Sequence, residues 1–370
     1  MDKPKILIVG SFPSSKKKVF GGIAKSCEIL IKSKNFSSFE ILTFDSSQIS
    51  NPPPNIIIRS LFAFFRLVNF PIKLIVEKPQ CVIIFCSDGA SALEKGLMIY
   101  ITKLYNKSAM IFPRAGNLIN QTRESKLFLN VIKYLFKKAD IFLAQSRKWE
   151  EFANQSLKIH SSKIKIIGNW TATNKHISIG ESRIINSNNK NLTLIFVGWL
   201  EKEKGILEIL SAIKNLNKKG ICFFIKFIGD GNLRIEIEKF IIDNNLQDRI
   251  SILGWIDSKE IMEHMKSSDI FILPSWQEGM PNALIEALAC SLPSIVTSVG
   301  AIPDYLKNLE SSLLIPPKDV AELEAAVEEL INNHSLRKKL SKNGHLVAKN
   351  VFLTRRSLQY FSKTIMDLIN

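Results

Sequence analysis

The sequence predicts an α/β protein of two doubly wound domains, each built on a parallel sheet with helices on both faces. Short, continuously apolar runs rich in β-branched residues alternate with amphipathic helical patterns along the whole chain. Such strands are typical of parallel sheets that are buried on both faces. The chain has 370 residues, which suits two domains at roughly 100–200 residues per domain. We therefore expect two Rossmann-like domains that face each other across a cleft lined by the carboxyl ends of their strands.

Six strand candidates lie in each half of the chain. They cover 4–9, 39–44, 81–86, 109–113, 140–144, 164–167, 192–197, 221–228, 250–253, 270–273, 294–297 and 312–315. Between the two series, residues 181–191 are polar, rich in Asn and Ser, and without periodicity, as expected of a linker. We predict an N-terminal domain over 1–172, a linker over 173–191 and a C-terminal domain over 192–354. Residues 350–368 read as a helix with Phe352, Leu358, Phe361 and Ile365 on one face. The helix over 355–370 is expected to join the N-terminal domain.

The composition excludes a disordered chain and favours a negatively charged partner. Hydrophobic residues make up 46% and charged residues 23% of the sequence, which is enough apolar material for packed cores. The net charge of +16 favours nucleic acid, anionic lipid or phosphorylated substrates as partners. All of the excess lies in residues 1–175, which carry 27 basic and 11 acidic side chains, whereas residues 176–370 carry 23 of each. The two domains are thus expected to have different electrostatic roles.

The cysteines and the apolar stretches favour a cytoplasmic protein. The five cysteines are odd in number, form no Cys-x-x-Cys pair, and include Cys81 and Cys86 in an apolar strand, so buried thiols in a reducing compartment are expected. The apolar run at 6–9 is too short for a signal peptide, and charged residues and a proline interrupt the stretch 56–76. Neither segment predicts export or a membrane span.

The first candidate site follows the first strand of the second half. Gly198 turns the chain, and Lys204-Gly205 stands at the start of an apolar helix. Backbone N–H groups and the dipole at a helix start favour an anion, and Lys204 adds a positive charge. The pattern predicts phosphate binding. A surface lysine in a turn of mixed charge is the alternative, since Lys202 shows that such residues are common in this segment.

A stronger candidate begins at Glu278, after the strand 270–273. Pro281 suits the first helical position, which leaves Glu278 on the loop above the helix and Glu286 about one and a half turns into it. Gly279 lets the backbone approach a ligand closely. Two carboxylates can accept hydrogen bonds from vicinal hydroxyls while backbone amides hold a phosphate, and a sugar nucleotide presents both groups. An acidic helix cap with a salt bridge is the alternative.

Both segments resemble the retaining glycosyltransferases of family 4, which have the two-domain GT-B fold. The sequence FVGWLEKEKGILEIL at 196–210 is similar to that family's glycine and Lys-Gly loop. The sequence ILPSWQEGMPNALIEALACSLPSIVTSVGAIPDYL at 272–306 is similar to its paired-glutamate motif, with seven residues between Glu278 and Glu286. Weaker matches at Gly21-Gly22 and at Gly229-Asp230-Gly231 extend the resemblance over nearly the whole chain.

The resemblance implies a role for each matching position. Glu278 and Lys204 would be catalytic, because Glu278 would hold the donor sugar and Lys204 would neutralise the leaving diphosphate. Glu286 would bind the ribose hydroxyls. The other donor-binding positions would be Gly198, Gly279, Met280, Pro281, Asn282, Asp230 and, from the opposite domain, Gly21 and Gly22. Enzymes of this kind need no metal and no cofactor besides the nucleotide sugar, which is a co-substrate. Capping of a helix is the alternative role for Asp230.

Two positions depart from the family pattern. Trp199 stands beside the first glycine, where the family usually has Arg, so one phosphate-binding cation is missing. Lys204 alone, Lys202 or Arg114 would then supply the charge. The family also often has a His where the N-terminal strand 109–113 of this chain is followed by Arg114. Arg114 is therefore a candidate for binding a phosphate or an acceptor group, with an ordinary surface arginine as the alternative.

The acceptor is expected to bind the basic N-terminal domain. Lys16, Lys17 and Lys18 precede Gly21-Gly22 and are candidates for the acceptor or phosphate side. Residues 56–78 combine four phenylalanines with several cations, a composition typical of membrane-surface helices. Aromatic residues that pack on the sheet, with the cations in water, are the alternative. We expect an anionic membrane surface as a partner and a cytoplasmic location on the inner face of the cell membrane.

The sequence thus predicts a retaining enzyme that moves a hexose or N-acetylhexosamine from a nucleotide sugar to a lipid-linked saccharide acceptor in cell-surface polysaccharide or lipopolysaccharide synthesis. A sugar-nucleotide epimerase of the same fold is one alternative, against which the spacing of Glu278 and Glu286 argues. A non-catalytic nucleotide-sugar-binding subunit is another, because of Trp199. A nucleic-acid-binding protein is disfavoured, since no helix-turn-helix, RNA-recognition or zinc-finger pattern occurs and the neutral half would have no role.

Overall fold

The chain forms two compact units in a computed structural model that describes residues 3–12, 21–47, 54–185 and 192–370. Unit 1 comprises Met1–Thr171 and Thr354–Asn370, and unit 2 comprises Ala172–Leu353. The chain therefore passes between the units twice, at 171–172 and at 353–354. The candidate cations Lys16, Lys17 and Lys18 lie outside the described residues.

Within the described residues, twelve strands form the two sheets, one for each strand candidate in the sequence. They are β1 Lys5–Gly10, β2 Glu40–Asp45, β3 Cys81–Cys86, β4 Ser108–Pro113, β5 Ile141–Ala144, β6 Ile164–Ile166, β7 Thr193–Val197, β8 Phe224–Ile228, β9 Ile250–Gly254, β10 Ile270–Leu273, β11 Ser294–Thr297 and β12 Leu313–Ile315. The largest difference is at β8, which was expected to begin at residue 221. It begins later because the Ile221 N–H bonds to the Leu216 carbonyl at the end of the preceding helix and is not available to the sheet.

Fifteen helices are described. They are α1 Gly22–Ile31, α2 Ile56–Glu77, α3 Gly89–Leu104, α4 Asn117–Glu124, α5 Lys126–Phe136, α6 Arg147–Glu151, α7 Asn174–Ser182, α8 Ile206–Lys218, α9 Arg234–Asp243, α10 Ser258–Lys266, α11 Asn282–Ala289, α12 Ile302–Tyr305, α13 Val320–Asn332, α14 His334–Val351 and α15 Thr354–Ile369. Among the described residues, none of these helices combines the length and the apolar character that a bilayer crossing requires.

Unit 1 is a parallel sheet with two apolar layers. Its strand order is β2-β1-β3-β4-β5-β6, and every neighbouring pair runs parallel. Alternate side chains of β3 enter opposite layers, as the two-residue period of a strand requires. The layer that contains Val82 is covered by α2, α3, α4 and α5, and the layer that contains Ile83 is covered by α1 and α15. The predicted doubly wound architecture is confirmed in this unit.

Unit 2 is also a parallel sheet, with the order β12-β11-β10-β7-β8-β9. Counted within the unit, this is the order 6-5-4-1-2-3 of a Rossmann fold read from the other edge. The chain leaves β7 towards β8 on one side and later returns to β10 on the other side of β7. The point between β7 and β10 is therefore the topological switch, where the loops that follow the two strands diverge and leave a crevice.

The N-terminal part of the expected linker is helical. Residues 174–182 form α7 within unit 2, and residues 186–191 lie outside the described part of the chain. The Thr173 side chain accepts a hydrogen bond from the His176 N–H in a capping box, which starts the helix. Arg183 then donates to the Cys290, Ser268 and Met265 carbonyls at 2.6, 2.7 and 2.6 Å. The sequence did not reveal this helix, because the capping box and the tertiary contacts of Arg183 hold it in place.

The expected C-terminal helix is divided between the two units. Helix α14 ends at Val351, and Phe352 packs into the core of unit 2. Helix α15 begins two residues later and places Leu358, Phe361 and Ile365 in a core layer of unit 1. The four side chains therefore do not share one helix face, because the break at 352–353 separates Phe352 from the other three.

The cysteines are all free thiols. Cys27, Cys81, Cys86 and Cys290 are buried and Cys222 is exposed, so the predicted burial of Cys81 and Cys86 is confirmed. Burial raises the pKa of Cys81 to about 12. Burial also raises the pKa of Cys27 to about 12. These buried groups remain protonated and unreactive at neutral pH.

Candidate active site

Loops from four strands of unit 2 meet at the carboxyl edge of its sheet. The loop after β7 contacts the loop after β8, where the Leu200 N–H donates to the Asp230 carbonyl at 3.0 Å. It also contacts the loop after β10, where the Trp276 N–H donates to the Glu203 carbonyl at 2.8 Å. The Ala301 N–H, after β11, donates to the Gly279 carbonyl at 2.8 Å. Both motifs that the sequence singled out are therefore part of one surface.

Lys204 and Glu278 form an ion pair beside the topological switch. The Lys204 Nζ lies 2.6 Å from the Glu278 Oε1, and the two side chains are 24% and 10% exposed. The Ser275 hydroxyl donates to the same Glu278 oxygen at 2.8 Å. The loops after β7 and β10 thus bring together two residues that are 74 positions apart in sequence. The two charges are largely withdrawn from water. Electrostatic interactions are stronger in this less polar environment than in bulk water.

Two glycines allow these loops to approach each other closely. Gly205 has φ of +74°, and a Cβ atom there would overlap the Pro274 carbonyl. Gly300 has φ of +60°, and its Cβ would overlap the carbonyl of Glu278. An L side chain is disfavoured at positive φ and has no space at either position. The Lys204-Gly205 pair therefore allows the start of α8 to pack against the chain that leads to Glu278.

The second motif places its glutamates at two depths. Pro281 caps α11 and the helix begins at Asn282, one residue later than the sequence suggested. Glu278 remains on the loop before the helix, as expected, while Glu286 is buried within it. The five-residue step from Pro281 to Glu286 corresponds to about 7.5 Å along a helix axis. The two carboxylates are therefore suited to different parts of an extended ligand.

Trp199 and Asp230 lie in the loops that follow β7 and β8. The Trp199 ring packs edge-on against Trp255, with 4.5 Å between the ring centroids. Asp230 accepts the N–H of Gly231 at 2.8 Å, and its other oxygen lies 3.3 Å from Arg234 Nη1. Through these contacts Asp230 stabilises the loop in which it lies. Its donor-binding role remains a prediction.

A further cluster at this edge was not identified from the sequence. The Trp276 indole N–H donates to the Glu208 Oε1 at 2.8 Å. Lys318 and Lys202 place their ammonium groups 4.4 and 5.4 Å from the centroid of the Trp276 ring. Glu208 is buried, and its second carboxylate oxygen has no hydrogen-bond partner in the described chain. The signal available in the sequence was the spacing of Glu208, one helical turn after Lys204 in an otherwise apolar segment.

Arg114 in unit 1 is not an ordinary surface arginine. Its Nη2 donates to the Ser26 hydroxyl at 3.0 Å, and its guanidinium lies 4.8 Å from the Phe112 ring and 5.3 Å from the Trp170 ring. Burial lowers the pKa of Arg114 to about 10. Ser26 belongs to α1, which begins at Gly22 with Gly21 as its cap. Arg114 and the start of α1 thus belong to the same edge of this sheet.

No group of three His, Cys, Asp or Glu side chains within residues 3–12, 21–47, 54–185 and 192–370 has a geometry suited to a metal ion.

Comparison with known proteins finds similarity to glycosyltransferases, and a family model matches most of the second unit. Residues 180–347 match the family model of glycosyl transferases group 1. An uncharacterized glycosyltransferase of Methanocaldococcus jannaschii, MJ1178, is 29% identical over 344 residues, which cover 89% of this chain and 90% of that protein. The amylovoran biosynthesis glycosyltransferase AmsK of Erwinia amylovora is 32% identical over 145 residues, or 38% of this chain and 36% of that protein.

Solved structures share the fold of the whole chain. The sucrose-phosphate synthase of Thermosynechococcus elongatus matches with a TM-score of 0.77 and 16% identity, over 99% of each chain. Anabaena Alr3699/HepE, solved with UDP and glucose, matches with a TM-score of 0.72 and 14% identity, over 98% of this chain and 99% of that one. The chain therefore has the GT-B fold, and most of its second unit matches the glycosyl transferases group 1 model.

Proposed function

We propose that this protein is a retaining glycosyltransferase that moves a hexose or N-acetylhexosamine from a nucleotide sugar to a saccharide acceptor. The observation that carries the proposal is the Lys204–Glu278 ion pair at the switch point of the unit 2 sheet. It places one cation and one hydrogen-bonding carboxylate within a glycosyl transferases group 1 domain, at the edge where doubly wound sheets bind nucleotides. A nucleotide sugar carries both a diphosphate for the cation and hydroxyl groups for the carboxylate.

The pair suits the charge changes of glycosyl transfer. The bond between the anomeric carbon and the diphosphate breaks, and the diphosphate leaves with increased negative charge. Lys204 and the backbone N–H groups at the start of α11 are proposed to stabilise that charge. Glu278 is proposed to hold hydroxyls of the donor sugar, and the more deeply placed Glu286 the ribose. Before the donor binds, the 2.6 Å ion pair keeps Lys204 and Glu278 in position for these contacts.

The acceptor is proposed to be a lipid-linked saccharide of cell-surface polysaccharide or lipopolysaccharide synthesis. AmsK, one relative, is named for the biosynthesis of amylovoran. Unit 1 contains nearly all of the basic half of the chain, and it presents Arg114 beside the start of α1. We assign Arg114 to the phosphate or acceptor side, together with the lysines at 16–18, which lie outside the described residues. Gly21 and Gly22 are assigned to the donor diphosphate.

Turnover of radiolabelled nucleotide sugars tests the proposal. A panel of donors is incubated with the protein and a lipid extract that contains saccharide acceptors, and the transferred label is counted. Lys204→Met and Glu278→Gln are each expected to lower turnover by about 100-fold or more, the usual effect of removing an electrostatic contact to developing charge. The product's anomeric configuration, read by NMR, reports retention.

A matched ion pair in the same unit provides the control. Lys219 Nζ lies 2.6 Å from Glu324 Oε1, between the C-terminal end of α8 and helix α13. Lys219→Met and Glu324→Gln remove equivalent charges and should leave turnover near that of the unchanged protein. Full turnover in both the Lys204 and Glu278 variants would show that the site is assigned wrongly.

Trp199 favours a second candidate, a nucleotide-sugar-binding subunit without catalysis. Its ring packs on Trp255 and supplies no charge where the resembling family has Arg. Under that candidate, a nucleotide sugar would raise the thermal unfolding temperature, yet no donor of the panel would be transferred or hydrolysed. Turnover with any donor would exclude the candidate.

A further inference from the structure

The exposed side of helix α2 is apolar, whereas a helix that packs on a protein core usually exposes polar residues and buries apolar ones. Of its 22 residues, only Phe70 and Leu74 are buried hydrophobic residues. Most of its large apolar side chains are exposed, including Ile57, Leu61, Phe64, Phe65, Ile72 and Val76. The alternative in which the aromatic residues pack on the sheet therefore holds for Phe70 and not for Phe64 or Phe65.

A charged contact lies on the inner side of the same helix. Arg66 Nε and Nη2 donate to the two oxygens of Glu94 on α3 at 2.6 and 2.9 Å. Glu94 also lies 3.0 Å from the Nζ of Lys95, and both of these side chains are buried. This ion cluster anchors α2 to α3 while leaving its apolar side chains outside. Such an arrangement is stable where the outer surface meets an apolar environment.

Two neighbouring helices extend the exposed apolar surface. Helix α3 contacts both α2 and α5. On α3, Leu97, Tyr100 and Leu104 are exposed at helical spacing, and on α5, Leu127, Val131 and Tyr134 are exposed in the same way. We call the exposed sides of α2, α3 and α5 the apolar face. It holds seventeen of the twenty-five large apolar side chains that are exposed in the described residues. Concentrations of this kind mark interaction surfaces.

The charges around the apolar face favour an anionic partner. Residues 54–138 carry 13 basic and 4 acidic side chains. Two of the acids are neutralised locally, because Glu94 pairs with Arg66 and Glu77 pairs with Lys73 at 2.9 Å. Among the cations, Arg59 on α2 and Lys137 beside α5 are exposed. A second copy of this chain would bring two positive faces together, whereas a bilayer of anionic lipid offers negative headgroups above an apolar layer.

We propose that the apolar face docks on the surface of an anionic lipid bilayer. Helix α2, about 33 Å long at 1.5 Å per residue, lies along the membrane with Phe64 and Phe65 at the boundary of headgroups and acyl chains. The exposed side chains of α3 and α5 enter beside it, and the surrounding cations bind lipid phosphates. The proposal deepens the proposed function, on which it rests for the lipid-linked acceptor, by identifying the surface that meets the lipid.

Co-sedimentation of the full-length protein with sucrose-loaded vesicles tests the docking surface. Vesicles of phosphatidylcholine alone are compared with vesicles that also contain phosphatidylglycerol. The unchanged protein should bind the anionic vesicles, and binding should weaken as salt is added, because screening shortens the range of the lipid charge. The double variant Phe64→Ser/Phe65→Ser, at positions 60% and 51% exposed, should bind at least about tenfold more weakly. Leu127→Ser on α5 tests the same surface from a different helix.

A matched control removes exposed apolar residues from the other unit. Ile235→Ser/Ile242→Ser changes positions of α9 that are 77% and 64% exposed, and vesicle binding should be retained. Near-ultraviolet circular dichroism checks that each variant is folded. The proposal is overturned if the unchanged protein does not bind anionic vesicles, or if the α9 variant loses binding as fully as the α2 variant. It is also overturned if sedimentation shows a dimer that Phe64→Ser/Phe65→Ser dissociates.

The test separates docking from catalysis because vesicle binding needs no turnover. Transfer to a soluble, lipid-free acceptor should be unchanged in Phe64→Ser/Phe65→Ser, since these residues lie outside the proposed site. Loss of vesicle binding with intact soluble transfer supports the docking surface. Vesicle binding without transfer of any donor would contradict the proposed function and leave the docking proposal standing.

Discussion

Gly205 is the residue on which the arrangement of the Lys204 loop depends most directly. Its φ is +74°, and a Cβ there would overlap the Pro274 carbonyl. Gly220 has nearly the same φ, +76°, but nothing within 4 Å of a Cβ. Gly220→Ala should cost about 1–2 kcal/mol of unfolding free energy, from the backbone conformation alone. Gly205→Ala should cost a further 1–3 kcal/mol, because the added methyl group has no space.

Urea unfolding of the two variants measures this difference. Gly205→Ala should also lower donor turnover, because it displaces Lys204 relative to Glu278, whereas Gly220→Ala should not. Equal stability losses in the two variants would mean that the backbone conformation, and not the close approach to Pro274, is the reason why glycine is needed at position 205.

At the scale of the element, the docking of α2 depends on a titratable contact. Burial acts to raise the pKa of Glu94, but the hydrogen bonds from Arg66 and the charge of Lys95 outweigh it and hold the pKa below its ordinary value. A carboxyl group with a lowered pKa stabilises the folded state above its unfolded-state pKa, and the stabilisation is lost as the pH falls through the folded-state pKa. The contribution of Glu94 should therefore be complete at pH 7 and decline as the pH falls below 4.5, the ordinary pKa of a glutamate side chain.

Glu94→Gln tests this linkage. At pH 7 it should reduce the free energy of unfolding by an amount on the order of 3 kcal/mol, because buried Lys95 loses its charged partner. The difference from the unchanged protein should shrink as the pH is lowered below 4.5, where Glu94 itself becomes protonated. Glu77→Gln, which breaks the Lys73 pair at the exposed end of the same helix, is the control and should have little effect at either pH. A Glu94→Gln difference that is independent of pH would contradict the linkage.

At the scale of the whole molecule, donor binding should act first on unit 2. Lys204, Glu278, Glu286 and the four loops at the carboxyl edge all belong to Ala172–Leu353. A ligand at 100 times its dissociation constant adds about 2.7 kcal/mol to the stability of the state that binds it. Hydrogen exchange should therefore slow in the loops at 198–205 and 274–281 when the donor is added.

The same exchange experiment tests the role assigned to the other unit. Slower exchange at residues 21–26 would support Gly21 and Gly22 as part of the donor site. Helices α4 and α5 provide the control, since no donor contact is proposed for them. Protection restricted to unit 1 would contradict the placement of the donor site, and Lys204→Met should abolish the protection in unit 2.

Much of the fold could be read from the sequence because the central strands of a parallel sheet are apolar on both faces. Runs such as Cys81–Cys86 and Ile270–Leu273 have no polar alternation that could be confused with a surface strand. Helix α7 could not be predicted, since its polar sequence is held by the Thr173 cap and by the bonds of Arg183 to carbonyls more than 80 residues away. The composition of a short segment does not reveal hydrogen-bond partners that are so distant in sequence.

In the candidate site, too, the sequence identified residues but did not show which of them are in contact. Lys204 and Glu278 were identified by the residue types around them, but their 2.6 Å contact depends on the order of β7 and β10 in the sheet. The cluster of Trp276 and Glu208 was missed because a tryptophan in a loop is not distinctive until the start of α8 is placed beneath it. For α2, the pattern of apolar residues did not reveal which side of the helix faces inward.

The sequence by itself determined the two sheets, the division of charge between the halves and the residue types available for a nucleotide sugar. These properties are local, since they follow from the periodicity and composition of short segments. Only the tertiary structure decided that Lys204 meets Glu278, that Arg66 faces Glu94 on the inside of α2, and that Phe64 and Phe65 remain outside. Those outcomes depend on which segments become neighbours, and that choice minimises the free energy of the whole chain and not of any one segment.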